Sequence, residues 1–245
     1  MRKDTIVIGT RSSKLALWQA DYIQAKLRER YPELPVVEKR MTTKGDRVLD
    51  APLAKIGGKG LFTKELEQAM LAGEIDIAVH SLKDMPTELP PGLVLAAVTE
   101  RFDAGDAVVS PRYGTLATLP QRAKVGTSSL RRRAQLLAQR PDLEIVSLRG
   151  NVNTRLQKLE DEDFDAIILA VAGLKRLGFG ERITEVLDKS VCLPAVGQGA
   201  LAIEARADDE EMISRLAFLD DAAMRAAARA ERAFMDFVLV LITKI

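Results

Sequence analysis

The sequence has little of what metal sites and disulfide frameworks require. Its 245 residues include one cysteine, Cys192, and one histidine, His80. A single cysteine cannot form an intramolecular disulfide, and one imidazole without a cysteine cluster excludes the usual zinc ligand sets. We therefore predict no metal site. We interpret Cys192 as a small buried apolar side chain and His80 as a hydrogen-bonded strand residue.

The sequence also lacks an excess of charge and a long apolar run. Lys and Arg total 36 against 35 Asp and Glu. This balance counts against a nucleic-acid or membrane binder, which would show a basic excess. No run approaches the ~18 apolar residues of a membrane span, and the apolar run at 5–8 is too short for a secretory signal. We expect a cytoplasmic protein.

What the sequence does contain is an alternation of apolar strand patterns and helical patterns. Such alternation predicts an α/β fold with mixed, mainly parallel sheets covered by helices. The predicted strands lie at 5–8, 36–41, 75–79, 93–98, 107–110, 124–125, 144–148, 166–171 and 200–204. In such sheets ligands bind at the carboxyl ends of the strands.

An internal echo indicates two similar lobes that face each other. Gly-Thr-x-Ser-Ser at 9–13 and Gly-Thr-Ser-Ser at 126–129 each open a helix after a strand, 126 − 9 = 117 positions apart. A chance echo of common strand–turn–helix patterns is the alternative. Linker-like stretches at 101–106 and 193–200 predict two chain crossings, as in solute-binding proteins that close by a hinge. The predicted domains are 1–100 with 200–219, then 106–193, then 220–245.

The stretch 124–133 predicts an anion site. Ser128 or Ser129 is a natural N-cap, and the apolar residues Leu130, Ala134, Leu137 and Ala138 predict one buried helix face. A helix start binds anions through its dipole and its free N–H groups, and three arginines at 131–133 follow at once. The alternative is three solvated arginines on an exposed first turn.

Cations and hydroxyls accumulate at the predicted strand ends and adjoining loops. The cations are Arg11, Lys55, Lys59, Lys83, Arg131, Arg132, Arg149, Arg155 and Arg176, and the hydroxyls are Ser13, Ser81, Thr127 and Ser129. One carboxylate, Asp84, stands among them by position. This composition predicts a ligand with several acidic groups and one proton-handling or cation-stabilising carboxylate. The alternative is a set of surface ion pairs, including one between Lys83 and Asp84.

Six motifs together resemble the hydroxymethylbilane synthase family, also called porphobilinogen deaminase. They are GTRSSKLALWQA at 9–20, PLAKIGGKGLF at 52–62, VHSLKD at 79–84, GTSSLRR at 126–132, LRGNV at 148–152 and LPAVGQG at 193–199. The resemblance implies a transferase of tetrapyrrole (haem) biosynthesis that is a monomer. It would join four porphobilinogen molecules into hydroxymethylbilane, with release of ammonia, on a dipyrromethane cofactor. It also implies two lobes like those of solute-binding proteins.

The resemblance assigns roles to individual residues. Asp84 matches the catalytic acid. The implied cofactor-binding residues are Ser81, Lys83, Thr127, Ser129, Arg131, Arg132, Arg149 and Gly150. The implied substrate-binding residues are Arg11, Ser13, Arg149, Arg155 and Arg176. Lys55 and Lys59 match a flexible loop.

The chain departs from the family pattern after residue 235. The family continues into a Gly-Gly-Cys motif that anchors the cofactor by a thioether, whereas this sequence reads DFVLVLITKI at 236–245. No cysteine matches the anchor, and Cys192 lies in another motif. We expect a truncated or frameshifted product with a remnant helix of the third domain, which puts turnover in doubt. The alternative function is a non-catalytic, two-lobed binder of a small polycarboxylate.

Overall fold

The computed structural model describes residues 5–47 and 60–243. The chain forms two compact units. The first contains the described residues up to Arg101 and again from Ala200, and the second contains Phe102–Gly199. Lys55 and Lys59, expected in a flexible loop, lie outside the described residues.

The described strands and helices alternate along most of the chain. The strands are β1 (Ile6–Arg11), β2 (Val36–Met41), β3 (Ile77–Ser81), β4 (Leu93–Val98), β5 (Asp106–Val109), β6 (Lys124–Gly126), β7 (Glu144–Val146), β8 (Ala166–Ala170), β9 (Glu185–Val186) and β10 (Leu201–Arg206). The helices are α1 (Lys14–Arg30), α2 (Lys44–Arg47), α3 (Lys64–Leu71), α4 (Leu130–Gln139), α5 (Val152–Asp161), α6 (Val171–Arg176), α7 (Glu210–Leu216) and α8 (Ala222–Thr243).

Each unit is built on a five-stranded mixed sheet, and the two sheets share one topology. The first sheet has the order β2-β1-β3-β10-β4 and the second has the order β7-β6-β8-β5-β9. In each, three neighbouring strands are parallel. The fourth strand, β10 or β5, is antiparallel to both of its neighbours. The predicted α/β class with two similar lobes and mixed sheets is confirmed.

The core of each unit lies between its sheet and the covering helices. Central strands such as β8 are uninterrupted apolar runs because both of their faces are covered. Helix α1 contributes Ala20, Ile23 and Leu27 to the first core, and each of the three is fully buried. Burial of one such Leu or Ile stabilises the fold by roughly 1.5–3 kcal/mol.

The first helix after β6 forms as predicted, but its buried face is not the predicted one. Ser129 is the N-cap of α4, and its hydroxyl accepts a hydrogen bond from the Arg132 N–H. Leu130 is 66% exposed, whereas Arg132 and Leu136 are buried. The apolar spacing gave the wrong face because the helix turns an arginine inward, toward a buried carboxylate described below.

The apolar stretch at 237–242 is helical. Helix α8 runs through it to Thr243. Met224 and Ala228 of this helix pack on Leu82 and Val98 of the first unit. Among the described residues, no helix is long and apolar enough to cross a membrane.

Candidate functional site

In the first unit, the expected site residues collect where parallel strands β1 and β3 end. Arg11 is the last residue of β1, and its guanidinium carbon lies 4.2 Å from the centre of the Phe62 ring. The hydroxyl of Ser13 caps α1 by accepting from the Ala16 N–H. Ser81 ends β3, and its hydroxyl accepts a 2.8 Å hydrogen bond from the Gln19 amide of α1. The hydrogen bond between Gln19 and Ser81 thereby ties the end of β3 to α1.

Asp84 directly follows this strand end, on a single 3₁₀ turn formed by Leu82–Asp84. Its side chain is exposed, and within the described part of the chain its carboxylate makes no hydrogen bond or ion pair. The proposed salt bridge with Lys83 is therefore not formed. An exposed carboxylate without a partner retains its full capacity to accept hydrogen bonds from a ligand.

In the second unit, a network of hydroxyls shapes the turn between β6 and α4. The Thr127 hydroxyl accepts from the Ser129 N–H at 3.2 Å. The Ser128 hydroxyl donates to the Leu148 carbonyl at 2.8 Å, which ties this turn to the one after β7. Serine and threonine suit such turns because their short side chains bond nearby backbone groups.

Arg131 and Arg132 both reach one buried carboxylate, that of Asp106 at the start of β5. Arg132 donates to Asp106 Oδ1 from Nε at 3.0 Å and from Nη2 at 2.6 Å, and to the Ile168 carbonyl from Nη1 at 2.9 Å. Arg131 Nη2 lies 2.7 Å from Asp106 Oδ2. The Gln198 amide adds a 2.9 Å hydrogen bond to Oδ1.

This arrangement keeps Asp106 ionised in the interior. Burial by itself would raise the pKa of Asp106, but Arg132, Arg131 and Gln198 together lower it to about 2. The carboxylate is fully buried, and the Arg132 side chain is only 7% exposed. Arg132 thus already carries an internal carboxylate partner, while the Arg131 side chain is 26% exposed.

Cys192 belongs to the same cluster. Its Sγ lies 3.4 Å from Asp106 Oδ2, and Arg131 Nη1 approaches both this sulfur and the Leu193 carbonyl. Burial and the neighbouring Asp106 charge raise the pKa of the thiol to about 11. A buried thiol held protonated is a poor nucleophile.

The turn after β7 brings together three more of the expected residues. Gly150 has a φ of +119°, and a Cβ there would lie 2.7 Å from Thr154 Cγ2. The position therefore requires glycine. Arg155 Nε donates to the Gly150 carbonyl at 2.8 Å. Arg149 directly precedes Gly150 in the sequence.

Arg176 closes the set of expected cations in the second unit. It is the last residue of α6, and its Nη2 donates to the Gly199 carbonyl at 2.8 Å. Its guanidinium carbon lies 5.9 Å from the Phe102 ring centre. Within the described ranges, no group of three His, Cys, Asp or Glu side chains is suited to hold a metal ion.

Two residues of this region escaped the sequence analysis. Asp106 was placed at the edge of a linker, and Gln198 was interpreted only as part of a motif. The signal that could have found Asp106 is an acidic residue directly before a buried apolar run, since such a residue needs a buried cation.

The family model for "Porphobilinogen deaminase, dipyromethane cofactor binding domain" matches residues 6–214. The chain belongs to the porphobilinogen deaminase family. The transferase class, the place in tetrapyrrole biosynthesis and the dipyrromethane cofactor, each expected from the resemblance, are confirmed at the level of this family.

Curated porphobilinogen deaminases match almost the whole chain. The protein of Syntrophotalea carbinolica is 57% identical over 235 residues, covering 96% of this chain and 75% of its own length. The Geotalea uraniireducens protein is 56% identical over 235 residues, and the match covers 74% of its length. The Chloroherpeton thalassium protein is 54% identical over 233 residues and also covered to 74%.

Solved structures of low identity share the fold. The methionine-binding protein MetQ aligns with a TM-score of 0.55 at 16% identity, covering 94% of this chain and 96% of that one. A putative methionine-binding lipoprotein of Bacillus subtilis aligns at 0.54 and 15%, covering 90% and 92%. These similarities support the two-lobed solute-binding architecture expected from the sequence, and nothing beyond it.

The residues present fit the carboxylates of a dipyrromethane but not its covalent attachment. Hydroxyls, arginines and helix starts of the second unit suit acidic side groups. The one thiol of the sequence, Cys192, is buried and protonated. It cannot serve as the thioether anchor, in agreement with its position outside the anchoring motif.

Proposed function

We propose that this chain is a hydroxymethylbilane synthase, which condenses four porphobilinogen molecules into the linear tetrapyrrole with release of one ammonia at each step. The observation that carries the proposal is Asp84. It is an exposed carboxylate without a partner in the described residues, set at the end of β3. The neighbouring strand end and helix start supply a cation and a hydroxyl, Arg11 and Ser13.

The proposed ligand groups are the acetate and propionate of each pyrrole. Arginine suits them because its planar guanidinium is always charged and pairs with a carboxylate through two parallel hydrogen bonds. We assign the cofactor carboxylates to Ser81, Lys83, Thr127, Ser129, Arg131, Arg149 and Gly150, and we assign Arg132 to this set as the residue that supports them from inside. We assign the substrate carboxylates to Arg11, Ser13, Arg149, Arg155 and Arg176.

Within this set, Arg131 and Arg132 contribute differently. Arg132 is buried and bonded to Asp106 and the Ile168 carbonyl, so it supports the α4 start from inside. Arg131 is the more exposed of the two, so its guanidinium is the better placed to donate hydrogen bonds to a ligand.

Asp84 is proposed to act where charge develops. When the C–N bond of porphobilinogen breaks, the electron pair leaves with nitrogen as ammonia, and a methylene-pyrrolenine cation remains. A carboxylate that accepts hydrogen bonds from the pyrrole N–H groups stabilises this cation. The same carboxyl can donate the proton that the leaving nitrogen takes up and recover one when the new C–C bond forms.

The remaining features are proposals of the same kind. We propose a first domain at 1–100 with 200–219, a second domain at 106–193, and the remnant of a third domain at 220–245. We also propose that the protein acts in the cytoplasm and that it is a monomer. Light scattering after gel filtration measures the molar mass of the chain in solution and so tests the second of these proposals.

The test is ammonia release from porphobilinogen by the purified chain, followed together with substrate consumption by Ehrlich's reagent. Asp84→Asn should lower the rate at least about 100-fold. Asp208→Asn is the matched control, because Asp208 is an exposed carboxylate of the same unit. Equal rates in the two variants would overturn the role of Asp84. Porphobilinogen binding without any ammonia release by the wild-type chain would instead support a non-catalytic polycarboxylate binder.

A further inference from the structure

The direction of the Asp84 carboxylate depends on the backbone that presents it. Within the described part of the chain, this side chain makes no hydrogen bond or ion pair that would orient it. The position of the carboxylate therefore follows from the position of the 3₁₀ turn Leu82–Asp84. Groups that fix this turn are candidates for positioning residues of the proposed reaction.

One end of the turn is tied to the first sheet, and the other end leads into a proline. The Leu82 N–H donates to the Ala200 carbonyl at 3.0 Å, and the Met85 N–H closes the turn by donating to the Leu82 carbonyl at 3.1 Å. Pro86 has a fixed φ and restricts the residue before it. Met85 is accordingly extended, with φ −77° and ψ 135°. Because only Met85 separates Asp84 from Pro86, a displacement of Pro86 is transmitted to the turn.

Helix α8 holds the chain at this second end. Arg232 Nη2 donates to the Pro86 carbonyl at 2.5 Å and to the Thr87 carbonyl at 2.8 Å. The Arg232 side chain is half-buried, and hydrogen bonds from a charged donor are roughly twice as strong as neutral ones. One guanidinium thus fixes two successive carbonyls close behind the turn.

The same face of α8 also packs on the turn itself. Met224, Ala228 and Arg232 recur every four residues, so they lie on one face of the helix. Met224 and Ala228 are buried in one apolar cluster with Leu82 and Met85, which are the first residue of the turn and the residue after it. Apolar contacts therefore hold the turn, and Arg232 holds the chain that leaves it.

Helix α8 is itself fixed to the first unit at two further points. Arg225 donates to the Leu95 and Ala96 carbonyls of strand β4, at 3.2 and 2.8 Å. Glu231 accepts a 2.7 Å hydrogen bond from Arg101. The helix cannot shift along β4 without breaking these charge-assisted hydrogen bonds. The guanidinium that it presents to the turn therefore has a defined position.

We propose that Arg232 is a positioning residue for Asp84. Its two carbonyl contacts hold the chain directly after the 3₁₀ turn, and so hold the Asp84 carboxylate where it accepts hydrogen bonds from the pyrrole N–H groups. Arg232 lies outside the proposed ligand-binding set. The catalytic part of this inference rests on the proposed function, whereas the restraint of the turn does not.

Amide hydrogen exchange at Met85 measures this restraint without any turnover, because the Met85 N–H closes the turn. In Arg232→Ala, exchange at Met85 should accelerate at least about tenfold, since two hydrogen bonds to a charged group are lost. The amide of Ile77, a fully buried residue of β3, is the internal reference and should not change. Unchanged exchange at Met85 would overturn the proposal. Equal acceleration at both amides would also overturn it, because Arg232 would then stabilise the unit as a whole.

Arg229→Ala is the matched control, since it removes the same charge from the same helix. Arg229 is exposed and, in the described ranges, has no hydrogen bond or ion pair. Its loss should leave Met85 exchange unchanged. Arg232→Lys is the conservative variant, because an ammonium group can donate to both carbonyls. Exchange at Met85 should then lie closer to wild type than in Arg232→Ala, and a lysine variant that exchanges as fast as the alanine variant would contradict the role of the carbonyl contacts.

In an active chain, the kinetic constants separate positioning from binding. Arg232→Ala should lower kcat for ammonia release at least about tenfold, because a small misplacement of a catalytic group is costly. KM should change by less than about twofold, since the groups assigned to the substrate carboxylates remain. A normal kcat together with fast Met85 exchange would overturn the catalytic role. Fast Met85 exchange in a chain whose wild type releases no ammonia would refute the proposed function and support the restraint of the turn.

Discussion

Replacement of Asp106 by asparagine should be among the most destabilising single changes in the second unit. Oδ1 accepts from Arg132 and Gln198, and Oδ2 faces Arg131 and Cys192. Either orientation of an asparagine amide turns an NH₂ group toward a guanidinium. The Arg132 charge would then be left uncompensated in the interior.

The magnitude follows from two properties of the structure. Breaking a buried ion pair by removal of one partner costs about 3–5 kcal/mol. The pKa of Asp106 falls from 3.8 to about 2 on folding, and 3.8 − 2 is about 1.8 units, or about 2 kcal/mol of pH-linked stability. Because the pKa of Asp106 is lower in the folded chain than in the unfolded chain, this pH-linked stability is present above pH ~4 and is lost as the pH falls toward ~2.

Urea unfolding of wild-type, Asp106→Asn and Asp142→Asn chains, at pH 7 and at acid pH, provides the assay. Asp142 is the matched control, since Arg140 also lowers its pKa to about 2, but on the surface. We expect Asp106→Asn to have a much lower free energy of unfolding than the wild-type chain at pH 7, and we expect this difference to become smaller at acid pH. Asp142→Asn should lower the free energy of unfolding much less, because exposed ion pairs contribute little to stability. Equal unfolding midpoints for the two variants would refute the reasoning.

Three further predictions concern single positions. Gly150→Ala should destabilise by about 1–3 kcal/mol in urea unfolding, because its Cβ meets Thr154 in a positive-φ conformation, whereas Gly178→Ala, with nothing within 4 Å, should cost less. Cys192 should resist iodoacetamide at pH 8 until denaturant is added, since its thiol is buried with a pKa of about 11; rapid native labelling would contradict this. Wild-type stability should decline relative to Glu67→Gln as pH rises above ~4.5, because the folded chain holds the Glu67 proton longer than the unfolded chain; parallel stability curves would contradict it.

Strand positions and strand-end chemistry were predictable because they depend on local pattern. The apolar runs located the central strands, and the residues after β1, β3, β6 and β7 were expected at strand ends for that reason. The cap Ser129 was one of two serines proposed, and the structure selects it. Periodicity and turn chemistry depend on residues only a few positions apart, so both can be recognised in a single sequence.

Pairings between distant residues were not predictable in this way. Arg132 is buried because Asp106, 26 positions earlier, supplies its counter-charge, and no local spacing encodes that. Apolar periodicity therefore assigned the wrong face of α4, with Leu130 inside and Arg132 outside. His80 lies in a strand as predicted, but its Nε2 has no hydrogen-bond partner among the described residues. This nitrogen lies 3.3 Å from Oε2 of Glu204, a residue 124 positions away. The apolar run after residue 236 has high β-propensity yet continues α8, in line with the weak hold of intrinsic propensity.

The antiparallel strand of each sheet has a consequence for synthesis on the ribosome. The second unit takes its strand β5 from the beginning of its own segment, so its sheet is complete as soon as β9 has emerged. The first unit waits for β10, which fills the place between β3 and β4. Until residue 206 is available, the inner edges of β3 and β4 expose unpaired backbone groups, which is when nascent chains are most exposed to mispairing. The N-terminal unit is thus the last to close, and chaperone dependence of this chain should concentrate on it.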